Sequence, residues 1–144
     1  TLLKKYEFPG DEIPVVAGLF SIRYVRNTGA AWGILSGFNV VLITLSFVVM
    51  ALIVLFRRQV LGDGRLQRVA ASFMIGGIAG NLADRIKHGY VVDFLDFYYR
   101  TSHFPAFNVA DSAICTGVGL YVLSQWLITL QKKANGGVIP ADVS

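Results

Sequence analysis

The sequence predicts an α-helical integral membrane protein with a small β-sheet lying outside the bilayer. Three observations carry that prediction. Of 144 residues, 54% are apolar and only 15% charged, well under the roughly 25% charge usual for soluble domains. The apolar residues gather into long uncharged runs, with basic residues collected at the ends of those runs. Between the runs lie segments rich in β-branched and aromatic residues that alternate with polar ones.

Taken in chain order, residues 1–10 are polar and charged and do not read as a cleavable signal peptide. From Phe20 to Asn27, apolar and polar residues alternate at a period of two, which predicts a strand within an outer segment at 19–33. Residues 38–56 hold no charge. As a helix this run covers about 28 Å, close to the hydrocarbon thickness of roughly 30 Å. Arg57 and Arg58 end it, and a connection with turn residues Gly62, Asp63 and Gly64 comes next.

A second span is predicted at 69–85, where the apolar stretch runs out before Asp84. It either stops short or carries its polar end among other helices. Gly76 and Gly80, four apart, would let a neighbouring helix of the same chain approach closely. Residues 90–100 form the second outer β segment, with a strand over 91–99. The third span, 112–130, precedes Lys132 and Lys133.

Three spans put the arginine-rich connection and the lysine tail on one side, which the positive-inside rule makes cytoplasmic. Residues 1–36 and 86–111 then lie outside, where the sheet's edges must be covered or solvated. A helix preceding Thr1 would explain why the chain starts outside. The whole reads as a single membrane-embedded domain over 1–144. The net charge of +4 is therefore orientational, and no basic face interleaved with stacking aromatics suggests nucleic acid. Cys115, alone in an apolar run, is expected to be a buried, inert thiol.

Candidate chemistry concentrates on the outer side. Carboxylates next to hydrocarbon are costly to keep ionised, so they are neutralised, paired or put to use. Asp93 and Asp111 lie at such positions. Asp93 and Asp96, three apart in a strand, should face opposite sides, and periodicity does not choose between them. Asn108 and Asp111 open the third span, where capping by Asn108 and a helix-dipole contact by Asp111 compete evenly with catalysis. Asn81, Asp84 and Arg85 share a helix face. Asp84 and Arg85 are expected to neutralise one another or bond to loop carbonyls. The planar fork of Arg85 suits a carbonyl or carboxylate.

Two carboxylates held close share a proton, so one can activate water while the other protonates a substrate carbonyl. That is peptide hydrolysis without metal or covalent intermediate. His88 and His103 lack ligand spacing and are expected to serve in loops or at the interface, and no Ser-based elbow or Ser-Lys arrangement stands out. No cofactor is expected.

Four blocks, N-T-G-A-A-W-G (Asn27 to Gly33), G-G-I-A-G-N-L-A-D-R (Gly76 to Arg85), G-Y-V-V-D-F (Gly89 to Phe94) and F-N-V-A-D-S (Phe107 to Ser112), together resemble bacterial lipoprotein signal peptidase, also called signal peptidase II. The likeness spans nearly the whole chain in the family's order. It implies an aspartic endopeptidase of the bacterial inner membrane. The enzyme would remove signal peptides from prolipoproteins N-terminal to a diacylglyceryl-modified cysteine, acting as a monomer among membrane lipids. It implies Asp93 and Asp111 as the catalytic pair, which chooses Asp93 over Asp96. It also implies Asn27, Asn81, Arg85 and Asn108 as substrate-binding residues and Asp84 as supporting. The family fold has four transmembrane helices, a small sheet and a short outer helix; the first helix and the motif closing it have no counterpart after Thr1. The alternative is a transporter subunit or lipid-binding scaffold whose carboxylates bind ions or pair with Arg85. Transport carboxylates lie near the bilayer midplane, and these are expected at its edge.

Overall fold

The structure is a computed structural model that describes residues 12–30 and 34–136. Residues 31–33, with Trp32 of the first sequence block, and both chain ends lie outside the described residues. In order, the elements are β1 (Glu12–Val16), β2 (Phe20–Asn27), α1 (Asn39–Val60), α2 (Arg65–His88), β3 (Val91–Tyr99), β4 (Ser102–His103) and α3 (Val109–Gly136).

The strands form one antiparallel sheet in sequence order, β1-β2-β3-β4. The period-two pattern places β2, and the β-branched and aromatic run places β3, at their observed bounds. Neither β1 nor β4 is expected from that pattern. Pro14 interrupts it in β1, and proline is tolerated there because β1 is an edge strand. At two residues, β4 is too short to carry a periodic signal. Gly18, at φ 79°, turns β1 into β2. A bulge in β2 between Ile22 and Val25 shifts its register against β3, so that Ser21 pairs with Asp96 and Val25 with Asp93.

Two helices are long and apolar enough to cross a membrane, at Asn39–Gln59 and Val109–Ala134. The expected span at 69–85 is a helix, but a longer and more polar one, running about 36 Å from Arg65 to His88. Its position explains the composition. α2 packs against both α3 and α1, and its buried residues include Gln67, Asn81 and Arg85. α1 and α3 turn apolar surface outward instead, as with Val40, Leu55, Val122 and Trp126, the inverted pattern of a protein solvated by lipid. α2 ends at Gly89, whose φ of 81° supplies the left-handed cap and whose N–H donates to the Arg85 carbonyl. Arg57, Arg58, Arg65, Arg68, Lys132 and Lys133 all sit at the helix ends away from the sheet.

The α2–α3 seam depends on small residues, though not on Gly76, where an added Cβ meets open space. A Cβ on Gly77 would strike the Ala110 carbonyl and Ile114, and one on Gly117 would meet Met74 and the Ala70 carbonyl. Ala110, Ile114 and Gly117 follow the i, i+4, i+7 stripe of α3. Cys115 falls off that stripe and is exposed on the outer helix face, rather than buried as its apolar run suggests.

Candidate active site

Four elements deliver polar side chains to one place where the sheet meets the helix ends. The N-terminus of α3 is fixed first. Asp111 donates its main-chain N–H to Asn108 Oδ1 (3.0 Å), and Asn108 donates its main-chain N–H back to Asp111 Oδ2 (3.1 Å). This is a reciprocal capping box with Asp at the third position. Capping and chemistry do not exclude one another here, because the cap leaves the Asn108 amide free to reach elsewhere. Asn108 Nδ2 donates to Asp93 Oδ1 (2.8 Å) and to Asn81 Oδ1 (3.1 Å).

Asp93 comes from β3 and is only 2% exposed. Its second oxygen accepts from Asn27 Nδ2 at the end of β2 (2.9 Å). From α2, Asn81 Nδ2 donates to Asp111 Oδ1 (2.7 Å). Each of the four carboxylate oxygens thus has a donor, and all four donors are neutral amides. Both aspartates bond to the same residue, Asn108.

Burial pushes the Asp93 carboxyl above its ordinary value. The amides of Asn27 and Asn108 pull the other way, the neighbouring Asp111 charge adds to the rise, and Arg85 opposes it. Such an arrangement can hold one proton on Asp93 beside a second carboxylate, the asymmetry needed for acid–base work.

Arg85, 9% exposed, donates from Nη2 to the Gly29 carbonyl (2.9 Å) and from Nη1 to the Asn81 carbonyl (3.5 Å). Its fork therefore holds the loop after β2, and its buried Nε has no hydrogen-bond partner. Of the two alternatives expected for this pair, the bond to a loop carbonyl forms, from Arg85 to Gly29, and the ion pair between Asp84 and Arg85 does not. Asp84 faces His88 across one helical turn at 3.9 Å, half-exposed and apart from the cluster. His88 accordingly belongs to α2 and His103 to β4, where it meets Asp96, so neither is a loop residue. Asn27, Asn81, Arg85, Asn108, Asp93 and Asp111 come together, and Asp84 does not.

Sequence reasoning misses two contributors. The Gly29 carbonyl lies in the first sequence block, but nothing local marks it as the partner of Arg85. Asn39, at the start of α1, donates to the Arg85 carbonyl (3.3 Å) and reads in sequence as part of an apolar run. Asp96, passed over in favour of Asp93, is 1% exposed and bonded to Ser21 and His103. No group of three or more metal-ligating side chains converges among the described residues.

Comparison with known proteins agrees across nearly the whole chain. The profile of the family described as Signal peptidase (SPase) II matches residues 2–127. A lipoprotein signal peptidase of Geobacter metallireducens is 52% identical over 114 residues, covering 77% of this chain and 70% of that protein. One from Syntrophotalea carbinolica is 48% identical over 130 residues, covering 86% and 79%. A bacterial membrane enzyme structure determined by the in meso method at 2.3 Å resolution superposes with a TM-score of 0.78 at 30% identity, over 99% of this chain and 84% of that one.

Proposed function

This chain belongs to the signal peptidase II family, and on that footing we propose that it is an aspartic endopeptidase acting on lipid-modified prolipoproteins. Residues 1–144 form one membrane-embedded peptidase domain of the bacterial inner membrane. Its site opens at the extracytoplasmic edge, and it works as a monomer among membrane lipids. It cleaves the amide bond on the N-terminal side of a diacylglyceryl-modified cysteine.

Asp93 and Asp111 are the catalytic pair. Asp111, at the positive end of α3, takes a proton from a water held between the carboxylates, and that water attacks the scissile carbonyl. Asp93 carries a proton and gives it to the carbonyl oxygen as the tetrahedral intermediate forms. Collapse returns that proton to Asp93, while the proton held by Asp111 goes to the leaving amine. Asn27, Asn81 and Asn108 hold the carboxylates apart and offer amides to the substrate backbone. Arg85 presents donors to a peptide carbonyl beside the loop it anchors, and Asp84 supports the end of α2.

One observation carries this reading: Asn108 bonds to both carboxylates, through its side-chain amide to Asp93 and its main-chain N–H to Asp111. The test is cleavage of a lipidated precursor by the full chain in membranes. Asp93→Asn and Asp111→Asn should each abolish product while the protein still inserts. Normal turnover by either variant removes that residue from the mechanism, and equal cutting of an unlipidated precursor removes the lipid requirement.

A further inference from the structure

A second carboxylate lies three residues along β3 from Asp93, and peptide hydrolysis by the Asp93–Asp111 pair does not use it. Asp96 is 1% exposed and Ser21 beside it is fully buried. Asp96 Oδ2 accepts from Ser21 Oγ (3.3 Å), and His103 Nδ1 lies 2.9 Å from Oδ2 and 3.1 Å from Oδ1. The His103 ring also stacks on Tyr98, centroids 5.1 Å apart. One knot therefore joins β2, β3 and β4.

The knot matters because of the segment that leaves it at His103. The Phe104 N–H donates to the Phe97 carbonyl (2.8 Å), and Phe107 exchanges main-chain hydrogen bonds with Leu95 (2.8 and 3.1 Å). The Phe107 ring stacks on Phe97 at 5.9 Å. The chain is thus laid back along β3, and the next residue is Asn108. A two-residue strand supplies little pairing of its own, so the side-chain tie at His103 does much to set where this segment begins.

We propose that Asp96 and His103 form a positioning pair, supported by Ser21, that fixes the 104–107 segment on β3 and so sets Asn108 between the two reacting carboxylates. The inference rests on the proposed peptidase function. A carboxylate out of water needs its partners, and its hydrogen bond to an imidazole is of the strong, charge-assisted kind. Losing it frees β4 to shift, and a displacement of about 1 Å at a reacting centre is worth up to about 10²-fold in rate.

The test is steady-state cleavage of a diacylglyceryl-modified precursor by the full chain in membranes. His103→Phe keeps a ring on Tyr98 and removes the hydrogen bond. It should lower kcat about tenfold with KM within about twofold. His103→Gln, which restores a donor, should recover kcat to within about threefold of the parent. Because the pair acts through Asn108, adding His103→Phe to Asn108→Ala should lower kcat no further. A parental kcat in His103→Phe, equal losses in the Phe and Gln variants, or an additive double variant would each overturn the proposal. If His103→Phe does not accumulate in the membrane, Ser21→Ala carries the test. A loss of about threefold in kcat at constant KM supports the pair and an unchanged kcat overturns it. Asp93→Asn run alongside separates the two readings. An inactive Asp93→Asn with a normal His103→Phe sinks only this inference, whereas an active Asp93→Asn sinks the peptidase mechanism itself.

Discussion

Asp93 and Asp96 stand on the same strand, three residues apart, with 2% and 1% of their surfaces exposed. Asp93 meets the neutral amides of Asn27 and Asn108, and a second carboxylate lies nearby. Asp96 meets the imidazole of His103 and the hydroxyl of Ser21. The contrast separates burial from reactivity. Burial alone makes a carboxylate expensive, and what surrounds it decides whether that cost is cancelled or left as a drive to hold a proton. At Asp93 burial outweighs the opposing amides and, with the neighbouring Asp111 charge, raises the carboxyl; Asp96 is instead tied by His103 and Ser21 into the junction of three strands.

The sharpest way to break this contrast is to remove each charge in turn. Asp93→Asn or Asp111→Asn is expected to lower cleavage of a lipidated precursor by about 10³-fold or more. Asp96→Asn, whose amide oxygen can still accept from His103, should stay within about tenfold of the parent. Equal collapse of all three in a cleavage assay with matched membrane levels would erase the distinction.

Asn108→Ala comes next, because it strips a donor from Asp93 and the side-chain cap from α3, while the main-chain N–H to Asp111 remains. A loss of about 10²-fold in kcat is expected, with about 1 kcal/mol of stability lost from the missing cap. A stability loss without the rate loss, read by thermal unfolding and turnover on one preparation, would reduce Asn108 to a cap. Arg85→Lys keeps the charge but cannot span the Gly29 and Asn81 carbonyls with one planar fork. KM should rise about fivefold to tenfold with a smaller change in kcat; unaltered kinetics would remove Arg85 from substrate binding.

The smallest effect is the pH dependence of stability. Asp93 titrates above its unfolded value, so between the two values the folded state binds more protons than the unfolded one. Its contribution to stability is therefore greatest at low pH and declines as pH rises through that window, starting near the ordinary carboxylate value of about 4. Melting temperatures of detergent-solubilised protein should carry this slope, and Asp93→Asn should flatten it. An unchanged slope in that variant would place the elevated titration on another group.

Much of the frame is legible without coordinates. The alternation from Phe20 to Asn27 and the β-branched run from Val91 to Tyr99 mark two strands at their observed limits, because residues half-buried on a pleated surface must alternate. Uncharged runs mark α1 and α3. The four sequence blocks contain all six side chains that converge at the site. Other features are hidden for identifiable reasons. Gly77 and Gly117 rather than Gly76 line the close seam, since which glycine faces a neighbour depends on how α2 is rotated against α3. Cys115 is exposed for the same reason. Asp84 stands apart from the cluster because its helix face points it to His88 instead of the sheet.

The sequence by itself determined the local facts: roughly where three helices and the two longer strands run, which ends carry positive charge, and which short strings hold the polar groups. These come from periodicity, chain length against bilayer thickness, and the chemistry of adjacent residues. The resemblance of the sequence blocks favours Asp93 over Asp96, but only the tertiary structure shows the contacts behind that choice, Asp93 sharing Asn108 with Asp111 and Asp96 meeting His103. That choice turns on contacts between residues far apart in the chain, Asn27 with Asp93, Asn81 with Asp111 and Ser21 with Asp96. Such pairings are set by sheet register and helix rotation, and nothing in the neighbourhood of either aspartate along the chain encodes them.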